Sequence, residues 1–333
     1  MPVSVSIVGI TGAVGRKMLE VLETSNIPVS DLNLWASERS KNAEYGFRGR
    51  SVKVKPFSSR IKDDIVFFAV SEDLAREFAS SLAGRVKKII DNSSAFRLDT
   101  RIPLIIPSIN GEKIKRSDRL IANPNCSTIE MLLALDPIRI KWGLSEITVT
   151  TLQSVSGSGW KSISNLYDET REFIGEGEIK SGFYPYQIAF NIIPFIGKID
   201  KEGRCSEEYK MMMETKKIFG DPSIAVNATT LRVPVFYSHF ESIHFRTKKD
   251  FRRKDIIAAL KKNRYLRLLD ESGKYLFPMP VTSTGSDIVD VGRIRADEKR
   301  RTAEMVISAD NLRVGAATNA VRIAEYIFAK GLI

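Results

Sequence analysis

Short apolar runs alternate with helix-spaced segments over the first part of the chain. The apolar runs are Val3–Val8, Leu32–Ala36, Asp64–Val70, Val86–Ile90 and Leu120–Ala122, and helical spacing covers Val14–Leu22 and Glu72–Leu82. Near-continuous apolar strands joined by helices are typical of a parallel sheet with both faces covered. The pattern predicts an α/β fold whose first domain is a doubly wound parallel sheet.

The pattern changes after Asn125. Strand-like runs follow at Glu146–Gln153, Ala225–Val235, Ser242–Arg246, Ile288–Arg295 and Arg301–Ala309, with helical spacing at Glu207–Ile218 and Asp255–Lys262. This succession indicates an α+β domain built on a mostly antiparallel sheet. A last helix is predicted over Gly315–Gly331, and we expect it to return to the first domain. Residues 1–125 with 314–333 should therefore form one domain, and residues 126–313 the other.

Composition narrows the class of protein. The chain has 333 residues, enough for two domains, and its 43% hydrophobic content is ordinary for a soluble globular protein. Two cysteines exclude a disulfide framework and suit a reducing cytosol. No signal-peptide pattern precedes the first strand, and no uncharged apolar stretch approaches the roughly 18 residues of a membrane span. We expect a cytoplasmic protein with no membrane partner.

The net charge of +11 has two interpretations. The segment Lys248–Lys254 is locally basic, as in proteins that bind nucleic acids. Acidic residues are interspersed throughout, however, and no nucleic-acid-binding motif is present. We interpret the charge as a solvated basic surface that attracts anionic substrates such as phosphate and a dinucleotide, and we expect no nucleic-acid partner.

Cys126 is a candidate nucleophile. It lies in Asn123–Thr128, directly ahead of the apolar run Ile129–Leu135. Pro124 predicts a turn, and Ser127 suits the first turn of a helix. A thiol at that junction lies near the positive end of the helix dipole, which favours the thiolate, and the backbone N–H groups there can hold an oxyanion. The alternative is a half-buried structural cysteine.

A glycine loop follows the first strand and opens the first helix. Three glycines let the chain turn tightly and bring backbone N–H groups against a pyrophosphate, so the loop predicts a Rossmann-type dinucleotide site. A glycine-rich turn without a ligand is the alternative. The candidate cofactor-binding residues here are Gly9, Thr11, Gly12, Ala13, Val14 and Gly15.

The end of the second strand should meet the adenosine ribose. An NAD enzyme usually places an acidic residue there, whereas the 2′-phosphate of NADP calls for arginine and hydroxyl groups. The chain has Ala36–Ser40 at this point, with Arg39 between Ser37 and Ser40. These residues favour NADP, although Glu38 keeps NAD open.

Other polar residues stand where ligands bind in such folds. Arg97 follows the strand that ends at Ile90 and could grip a phosphate or carboxylate. Gln153 leads into the small-residue loop Ser156–Gly159, which could lie close to a cofactor. A surface arginine and an ordinary loop are the alternatives.

Two further sets are candidates. Glu207 and Lys210 share one face of a predicted helix, where an intrahelical ion pair is the simple explanation. His239 and His244 are the two histidines, and a thiol enzyme needs a proton carrier that titrates near neutral pH. We prefer His239 because His244 sits within a strand-like run, where a packed residue is expected.

Together, these segments make the chain resemble the bacterial aspartate-β-semialdehyde dehydrogenases from end to end. The segments that carry the resemblance are Gly9–Gly15, Ala36–Ser40, Asp91–Arg97, Asn123–Thr128, Gln153–Gly159, Glu207–Lys210, Arg232–His239, Val291–Arg295 and Asp310–Asn319.

The resemblance implies a role for each residue. Cys126 would be the nucleophile, His239 the acid/base, and Gln153 the residue that orients the acyl group. Asn125 would shape the phosphate and oxyanion region. Arg232 would bind the substrate carboxylate and Glu207 its amino group, and Arg97 with Lys210 would form the phosphate site. The implied NADP site comprises Gly12, Ala13, Val14, Ser37, Arg39, Ser40, Ser156, Gly157 and Asn319. The resemblance also implies a homodimer and no metal.

The implied reaction is the NADPH-dependent reductive dephosphorylation of β-aspartyl phosphate, in lysine, threonine and methionine biosynthesis. Cys126 would attack the acyl phosphate, phosphate would leave, and NADPH would reduce the thioester. Collapse of the hemithioacetal, with a proton from His239 returned to sulfur, would release aspartate semialdehyde. The substrate carries a phosphate, a carboxylate and an ammonium group, which the charges of Arg97, Lys210, Arg232 and Glu207 match in number and sign.

The sequence departs from the family pattern at four positions. The family usually has Glu at Ser108, Gln at Glu130, Tyr at Leu152 and Gly at Ser238. None of these residues has a direct chemical role, but Ser238 could shift the backbone of His239.

Two other functions compete with this one. An N-acetyl-γ-glutamyl-phosphate reductase has the same fold and thiol chemistry, but its substrate has no ammonium group to pair with Glu207. A catalytically silent dinucleotide-binding relative would be expected to lack Cys126 or His239, and both are present.

Overall fold

The chain divides into two compact units. The structure is a computed structural model that describes residues 2–82, 84–175, 177, 179 and 182–333, without the side chain of residue 272. One unit comprises Met1–Asn125 with Ala316–Ile333, and the other comprises Cys126–Gly315. Among the described residues, every helix is too short or too polar to traverse a lipid bilayer.

The first unit is built on a seven-stranded sheet, counted over the described residues. Its strands are β1 (Val3–Val8), β2 (Val29–Ala36), β3 (Glu44–Phe47), β4 (Arg50–Pro56), β5 (Ile65–Phe68), β6 (Lys88–Asp91) and β7 (Leu120–Ala122). They lie in the order β3-β4-β2-β1-β5-β6-β7, and all neighbours are parallel except β3 and β4. The predicted doubly wound parallel sheet is confirmed.

Helices cover both faces of this sheet. They are α1 (Ala13–Thr24), α2 (Glu72–Leu82), the short α3 (Pro107–Asn110) and α9 (Asn319–Ala329). On β5, Ile65 and Phe67 join the core cluster under α1 and α9, whereas Val66 and Phe68 join the cluster under α2. All four side chains are fully buried, and each contributes roughly 1.5–3 kcal/mol through that burial.

The second unit holds a six-stranded mixed sheet, again counted over the described residues. Its strands are β8 (Leu144–Gln153), β9 (Ala225–Arg232), β10 (His239–Thr247), β11 (Leu266–Leu268), β12 (Val289–Asp297) and β13 (Thr302–Ala309). The order is β11-β12-β13-β10-β8-β9. The three central pairs are antiparallel and the two outer pairs are parallel, so the predicted mostly antiparallel sheet is confirmed.

The helices of the second unit are α4 (Cys126–Trp142), α5 (Trp160–Ile174), α6 (Ser206–Phe219), α7 (Arg253–Lys261) and α8 (Pro280–Ser283). Helix α4 is buried on nearly all sides and packs against the central strands as well as α6 and α7. This burial fixes the position of its first residue, Cys126.

The structure differs from the sequence prediction in several elements. The β3–β4 hairpin, α5 and β11 were not predicted, because each is short or carries many polar residues. Strand β9 ends at Arg232 rather than Val235, since Pro234 has no N–H to continue a ladder. The predicted helix over Gly315–Gly331 is divided into a π-helical stretch at Arg313–Thr318 and α9.

Candidate active site

Cys126 is the first residue of α4, and its sulfur faces His239. Sγ lies 3.3 Å from Nε2 of His239, and the cysteine is half-buried. The predicted junction of turn and helix is therefore present, and it directs the thiol at an imidazole. Cys205, the other cysteine, is buried with Sγ 3.0 Å from Oγ1 of Thr230, and neither cysteine forms a disulfide.

His239 begins β10 and is fully buried. Its Nδ1 accepts a hydrogen bond from the N–H of Ser154 at 3.1 Å and lies equally close to Oγ of Ser154. Burial, and next the positive charge of Arg232, hold the pKa of His239 well below its usual range, so the ring is neutral at pH 7. His244 lies on the opposite face of the strand and is half-exposed.

Gln153, the last residue of β8, connects the start of α4 to α6. Its amide nitrogen donates to Oγ of Ser127 at 2.8 Å and to Oε1 of Glu207 at 3.2 Å. Oε2 of Glu207 lies 3.4 Å from Nζ of Lys210, so the expected intrahelical ion pair is present. Glu207 is nevertheless only 5% exposed and lies next to the amide that approaches Ser127, which places an anionic group inside the site.

Arg232, the last residue of β9, is also buried. Its Nη1 donates to the carbonyl of Ser154 at 2.6 Å, and Nη2 donates to Oγ of Ser158 at 3.2 Å, whereas Nε is buried without a hydrogen-bond partner among the described residues. A side chain at Gly157 would stand 3.1 Å from Nη1 of Arg232 and 3.3 Å from Cε1 of His239. The loop after β8 therefore packs directly on both functional side chains.

Two fully buried carboxyl groups lie near this pair. Glu130 follows Cys126 by one helical turn, and Glu241 follows His239 on the same face of β10. Neither group has a hydrogen-bond partner among the described residues. Burial, with the charges of Glu241 and Asp310, raises the pKa of Glu130 well above its usual range, and burial with the charge of Glu207 does the same for the pKa of Glu241. Each carboxyl therefore holds its proton more tightly than an exposed glutamic acid does.

Ser238 has a left-handed backbone with φ of 68°, which explains why glycine suits this position. Two hydrogen bonds hold it: its N–H donates to Oδ1 of Asn311, and its Oγ lies 2.8 Å from Oγ1 of Thr284. The serine therefore keeps the turn that delivers His239 to the start of β10.

In the first unit, the glycine loop connects β1 to α1. Gly12 is the residue before the first helical turn, and no side chain caps that end of the helix. A Cβ at Gly15 would stand 2.2 Å from the carbonyl oxygen of Gly9, so only glycine allows the helix to start this close to the strand. Backbone N–H groups at an uncapped helix start suit a pyrophosphate, as predicted for Thr11, Ala13 and Val14.

The segment after β2 presents Arg39 to solvent. Ser37 precedes a single 3₁₀ turn, Glu38–Ser40, at the carboxyl edge of the parallel sheet. The carboxylate of Glu38 lies 3.0 Å from Nζ of Lys41. This ion pair is exposed and weak, but it offsets the negative charge of Glu38, the residue that left NAD as an alternative to NADP.

Arg97 and three asparagines form a buried cluster in the first unit. Arg97 donates from Nε to the carbonyl of Asn123 at 2.9 Å and from Nη2 to that of Asn92 at 2.7 Å. The amide of Asn319 donates to Oδ1 of Asn123 at 2.7 Å and to the carbonyl of Ile105 at 2.9 Å. Both hydrogens of that amide are thus donated within the first unit. Asn125 is buried at the end of the same unit.

The structure thus brings one set of predicted residues together in the second unit: Cys126, Gln153, Ser156, Gly157, Glu207, Lys210, Arg232 and His239. The remaining predicted residues belong to the first unit. No group of three or more potential ligands among the described His, Cys, Asp and Glu residues is arranged to hold a metal ion.

Sequence reasoning missed Ser154, Asn311 and Glu241. The period of two along a strand could have placed Glu241 beside His239. Ser154 and Asn311 gave no signal, because a hydrogen bond between residues 157 positions apart is not visible in the chain.

Comparison with known proteins identifies the family. Residues 4–117 match the semialdehyde dehydrogenase NAD binding domain, and residues 135–314 match the semialdehyde dehydrogenase dimerisation domain. The aspartate-semialdehyde dehydrogenases of Aquifex aeolicus and Bacillus subtilis are 42% and 39% identical, over 99% and 96% of both chains. A crystal structure of aspartate semialdehyde dehydrogenase II from Vibrio cholerae, complexed with ASA, has a TM-score of 0.95, with 41% identity over 99% of both chains. The resemblance found in the motifs is confirmed, and the chain belongs to the aspartate-semialdehyde dehydrogenase family.

Proposed function

We propose that this protein catalyses the reversible, NADPH-dependent reductive dephosphorylation of β-aspartyl phosphate to aspartate semialdehyde. The observation that carries the proposal is the 3.3 Å approach of Cys126 Sγ to His239 Nε2 at the start of a buried helix. A thiol at a helix start beside an imidazole is equipped for attack on an acyl carbon. The curated relatives of Aquifex and Bacillus carry the same enzyme name.

The charges of the buried side chains support this substrate. Arg232 offers a cationic group for a carboxylate, and Glu207 offers an anionic group for an ammonium. We assign phosphate binding to Arg97 and Lys210, and the shaping of the phosphate and oxyanion region to Asn125. A substrate with an acylated nitrogen would leave Glu207 without a cationic partner from the ligand, and this disfavours the N-acetyl-γ-glutamyl-phosphate alternative.

The first chemical step forms the thioester. The thiolate of Cys126 attacks the acyl carbon, the carbon–oxygen bond to phosphate breaks, and phosphate leaves with the bonding electron pair. Backbone N–H groups at the start of α4 hold the oxyanion while it exists. Gln153, fixed by Ser127 and Glu207, orients the acyl group. When sulfur is later released, His239 returns a proton to it.

The cofactor is assigned to the first unit, which we propose as the nucleotide-binding domain. The uncapped start of α1 and the closely packed Gly15 fit a pyrophosphate, and Arg39 with Ser37 and Ser40 fits the 2′-phosphate of NADP. Ser156 and Gly157 of the loop after β8, and Asn319, complete the proposed set. When bound, the reduced nicotinamide supplies the hydride that brings the thioester to the aldehyde level.

We propose a cytoplasmic homodimer. The second unit matches a dimerisation domain, and large apolar side chains are exposed along α5 and the segment that follows it. Tyr167, Phe173 and Ile174 lie on α5, and Tyr186 and Phe190 lie on that segment. A second copy of this chain would remove these side chains from water. Sedimentation should give twice the monomer mass.

The activity has a direct test. Purified protein should reduce NADP when aspartate semialdehyde and phosphate are supplied together, and should stay inactive when either is omitted. Cys126→Ser should abolish this reaction, whereas the matched control Cys205→Ser should retain it. Turnover of N-acetylglutamate semialdehyde alone would establish the competing reductase. Nucleotide binding without any turnover would establish the silent relative.

A further inference from the structure

The residue before His239 is held from two sides. Ser238 is 1% exposed and has a left-handed backbone, with φ of 68°. Its N–H donates to Oδ1 of Asn311 at 3.1 Å, and its hydroxyl lies 2.8 Å from Oγ1 of Thr284. Thr284 is exposed and directly follows α8. A surface turn thus reaches the backbone of the candidate acid/base through one intermediate residue.

The direction of the hydrogen bond between the two hydroxyls follows from their other partners. Oγ1 of Thr284 donates to the carbonyl of Pro280 at 2.9 Å, because a carbonyl can only accept. The single proton of Thr284 is thus used within the turn, so the hydroxyl of Ser238 donates to Oγ1 of Thr284. Among the described residues, Thr284 is the only hydrogen-bond partner of that buried hydroxyl. Removing this acceptor would leave a donor unsatisfied in the interior, which is costly.

Ser238 depends on this contact because its backbone is strained. At a positive φ, a side chain crowds the neighbouring carbonyl oxygen, a cost that glycine does not have. Residues in such conformations persist only where the surrounding contacts hold them. Without its partner, Ser238 would relax by turning the peptide unit that carries the N–H of His239.

Ser238 also contacts the imidazole itself. Burial, and next the charge of Arg232, lower the pKa of His239, and a hydrogen bond to the backbone of Ser238 raises it. Nε2 of the same ring lies 3.3 Å from Sγ of Cys126. A shift of Ser238 would therefore change the distance between the ring and the sulfur.

The turn that carries Thr284 is anchored without the use of that side chain. The backbone N–H of Thr284 donates to the carbonyl of Pro280 at 3.1 Å. The N–H of Gly285 donates to Oδ2 of Asp310, which follows β13, at 2.8 Å. Replacement of the Thr284 side chain should therefore leave the turn in place and remove only its contact with Ser238.

We propose that Ser238 and Thr284 form a positioning pair, in which the hydroxyl of Thr284 holds Ser238 in its left-handed conformation and thereby keeps the imidazole of His239 opposite Cys126. In the described part of the chain, Thr284 makes no hydrogen bond to His239 or Cys126, so it acts through Ser238. The effect of the pair on turnover rests on the proposed function, whereas its effect on the position of the ring does not.

Thr284→Val tests the pair, because valine keeps the branched shape and lacks the hydroxyl. We expect kcat to fall roughly tenfold while KM for aspartate semialdehyde stays within about twofold. Thr284→Ser, which keeps the hydroxyl, should recover most of the lost kcat. Thr282→Val is the matched control on the same turn, because Oγ1 of Thr282 donates to the carbonyl of Met279. It should behave like the wild type.

Ser238→Gly distinguishes this role from a general loss of stability. Glycine adopts a positive φ freely and has no hydroxyl to satisfy, so in this background Thr284→Val should change kcat by less than about twofold. An equal loss of kcat in both backgrounds would overturn the proposal, since Thr284 would then act without Ser238. An unchanged kcat in the single Thr284→Val variant would also overturn it.

Alkylation by iodoacetamide tests the position of the ring without substrate or cofactor. Cys205→Ser leaves Cys126 as the one thiol. In that background Thr284→Val should slow alkylation at pH 7 by roughly threefold or more, because the imidazole that assists ionisation of the thiol has moved. An unchanged rate would overturn the proposal. If the wild type shows no semialdehyde turnover but Thr284→Val slows alkylation, the proposed function fails while the positioning pair stands.

Discussion

Gly315 lies directly against Cys126. A Cβ built at Gly315 would stand 2.6 Å from Cβ of Cys126 and 2.9 Å from Oε1 of Glu130. A side chain at residue 315 would therefore displace Cys126 from its position opposite His239. Overpacking of this kind costs roughly 1–3 kcal/mol when the structure must shift to accommodate it.

Gly315→Ala should consequently displace Cys126 from His239. We expect kcat to fall roughly tenfold or more, because small displacements of reacting groups are costly. Gly46→Ala is the matched control, since a Cβ there meets no atom within 4 Å. Steady-state kinetics and thermal unfolding of both variants would separate loss of geometry from loss of stability. Wild-type kinetics in Gly315→Ala would show that the contact is not important for catalysis.

Glu207→Gln should weaken the binding of the substrate that carries a free ammonium group. Loss of a charge-assisted hydrogen bond of about 1.5–3 kcal/mol predicts a fall in kcat/KM of roughly 10- to 100-fold for aspartate semialdehyde. Glu208→Gln is the control on the same helix, because Glu208 accepts the backbone N–H groups of Cys205 and Thr230 instead. It should lower stability and leave the kinetics largely unchanged. Equal kinetic losses in the two variants would contradict the role given to Glu207.

Arg39→Ala should reduce the preference for NADP over NAD. Arg39 lies at the carboxyl edge of the parallel sheet, where the 2′-phosphate is expected, so KM for NADP should rise roughly tenfold or more while KM for NAD stays within about twofold. Arg50→Ala is the control, because it removes a positive charge from the start of β4, at the amino ends of the parallel strands. A rise in KM for NADP in both variants would indicate a general effect of charge and not a phosphate contact.

Glu130→Gln and Glu241→Gln should change how stability depends on pH. The folded protein keeps these protons, whereas the unfolded chain loses them above about pH 4.3. The free energy of unfolding therefore falls as pH rises from there toward the raised pKa values of the two carboxyls. Each Gln variant removes the part of this dependence that its own carboxyl contributes. Its stability relative to wild type should therefore increase with pH above about 4.3, by up to about 1.4 kcal/mol per pH unit.

Urea unfolding at several pH values would measure this effect. Glu77→Gln, on the exposed face of α2, is the control and should give a difference from wild type that does not change with pH. A constant difference for Glu130→Gln as well would mean that Glu130 is ionised in the folded protein.

Apolar patterning predicted the elements that bury a continuous face. The bounds of β1 and α2 agree with the predicted ones, because their apolar residues follow the pattern of a strand and of a helix. It failed for α5, which buries few residues and leaves aromatic side chains such as Tyr167 and Phe173 exposed. The pattern of apolar residues thus indicates which elements are buried, and elements that bury few side chains are missed.

The site was predictable by residue type but not by contact. The turn ahead of Cys126 indicated a helix start, yet the 3.3 Å approach to a histidine 113 residues later depends on how α4 packs against β10. His239 was preferred because His244 was expected to be a packed residue within a strand, but both lie on β10, where His239 is buried and His244 faces the opposite side, half-exposed. Ser154 and Asn311 required the folded backbone, because their partners include main-chain N–H groups.

That alternation has a consequence for folding. In β10, His239 pairs with Ala309 of β13, and Phe240 pairs with Ser308 of β13 and Leu152 of β8. A shift of β10 by one residue would keep a hydrogen-bonded sheet but would turn His239 and Glu241 to the opposite face. Such a molecule would retain its secondary structure, but Cys126 would lose its contact with His239. Cys126 therefore gains its histidine partner only when β10 pairs with β8 and β13 in the correct register.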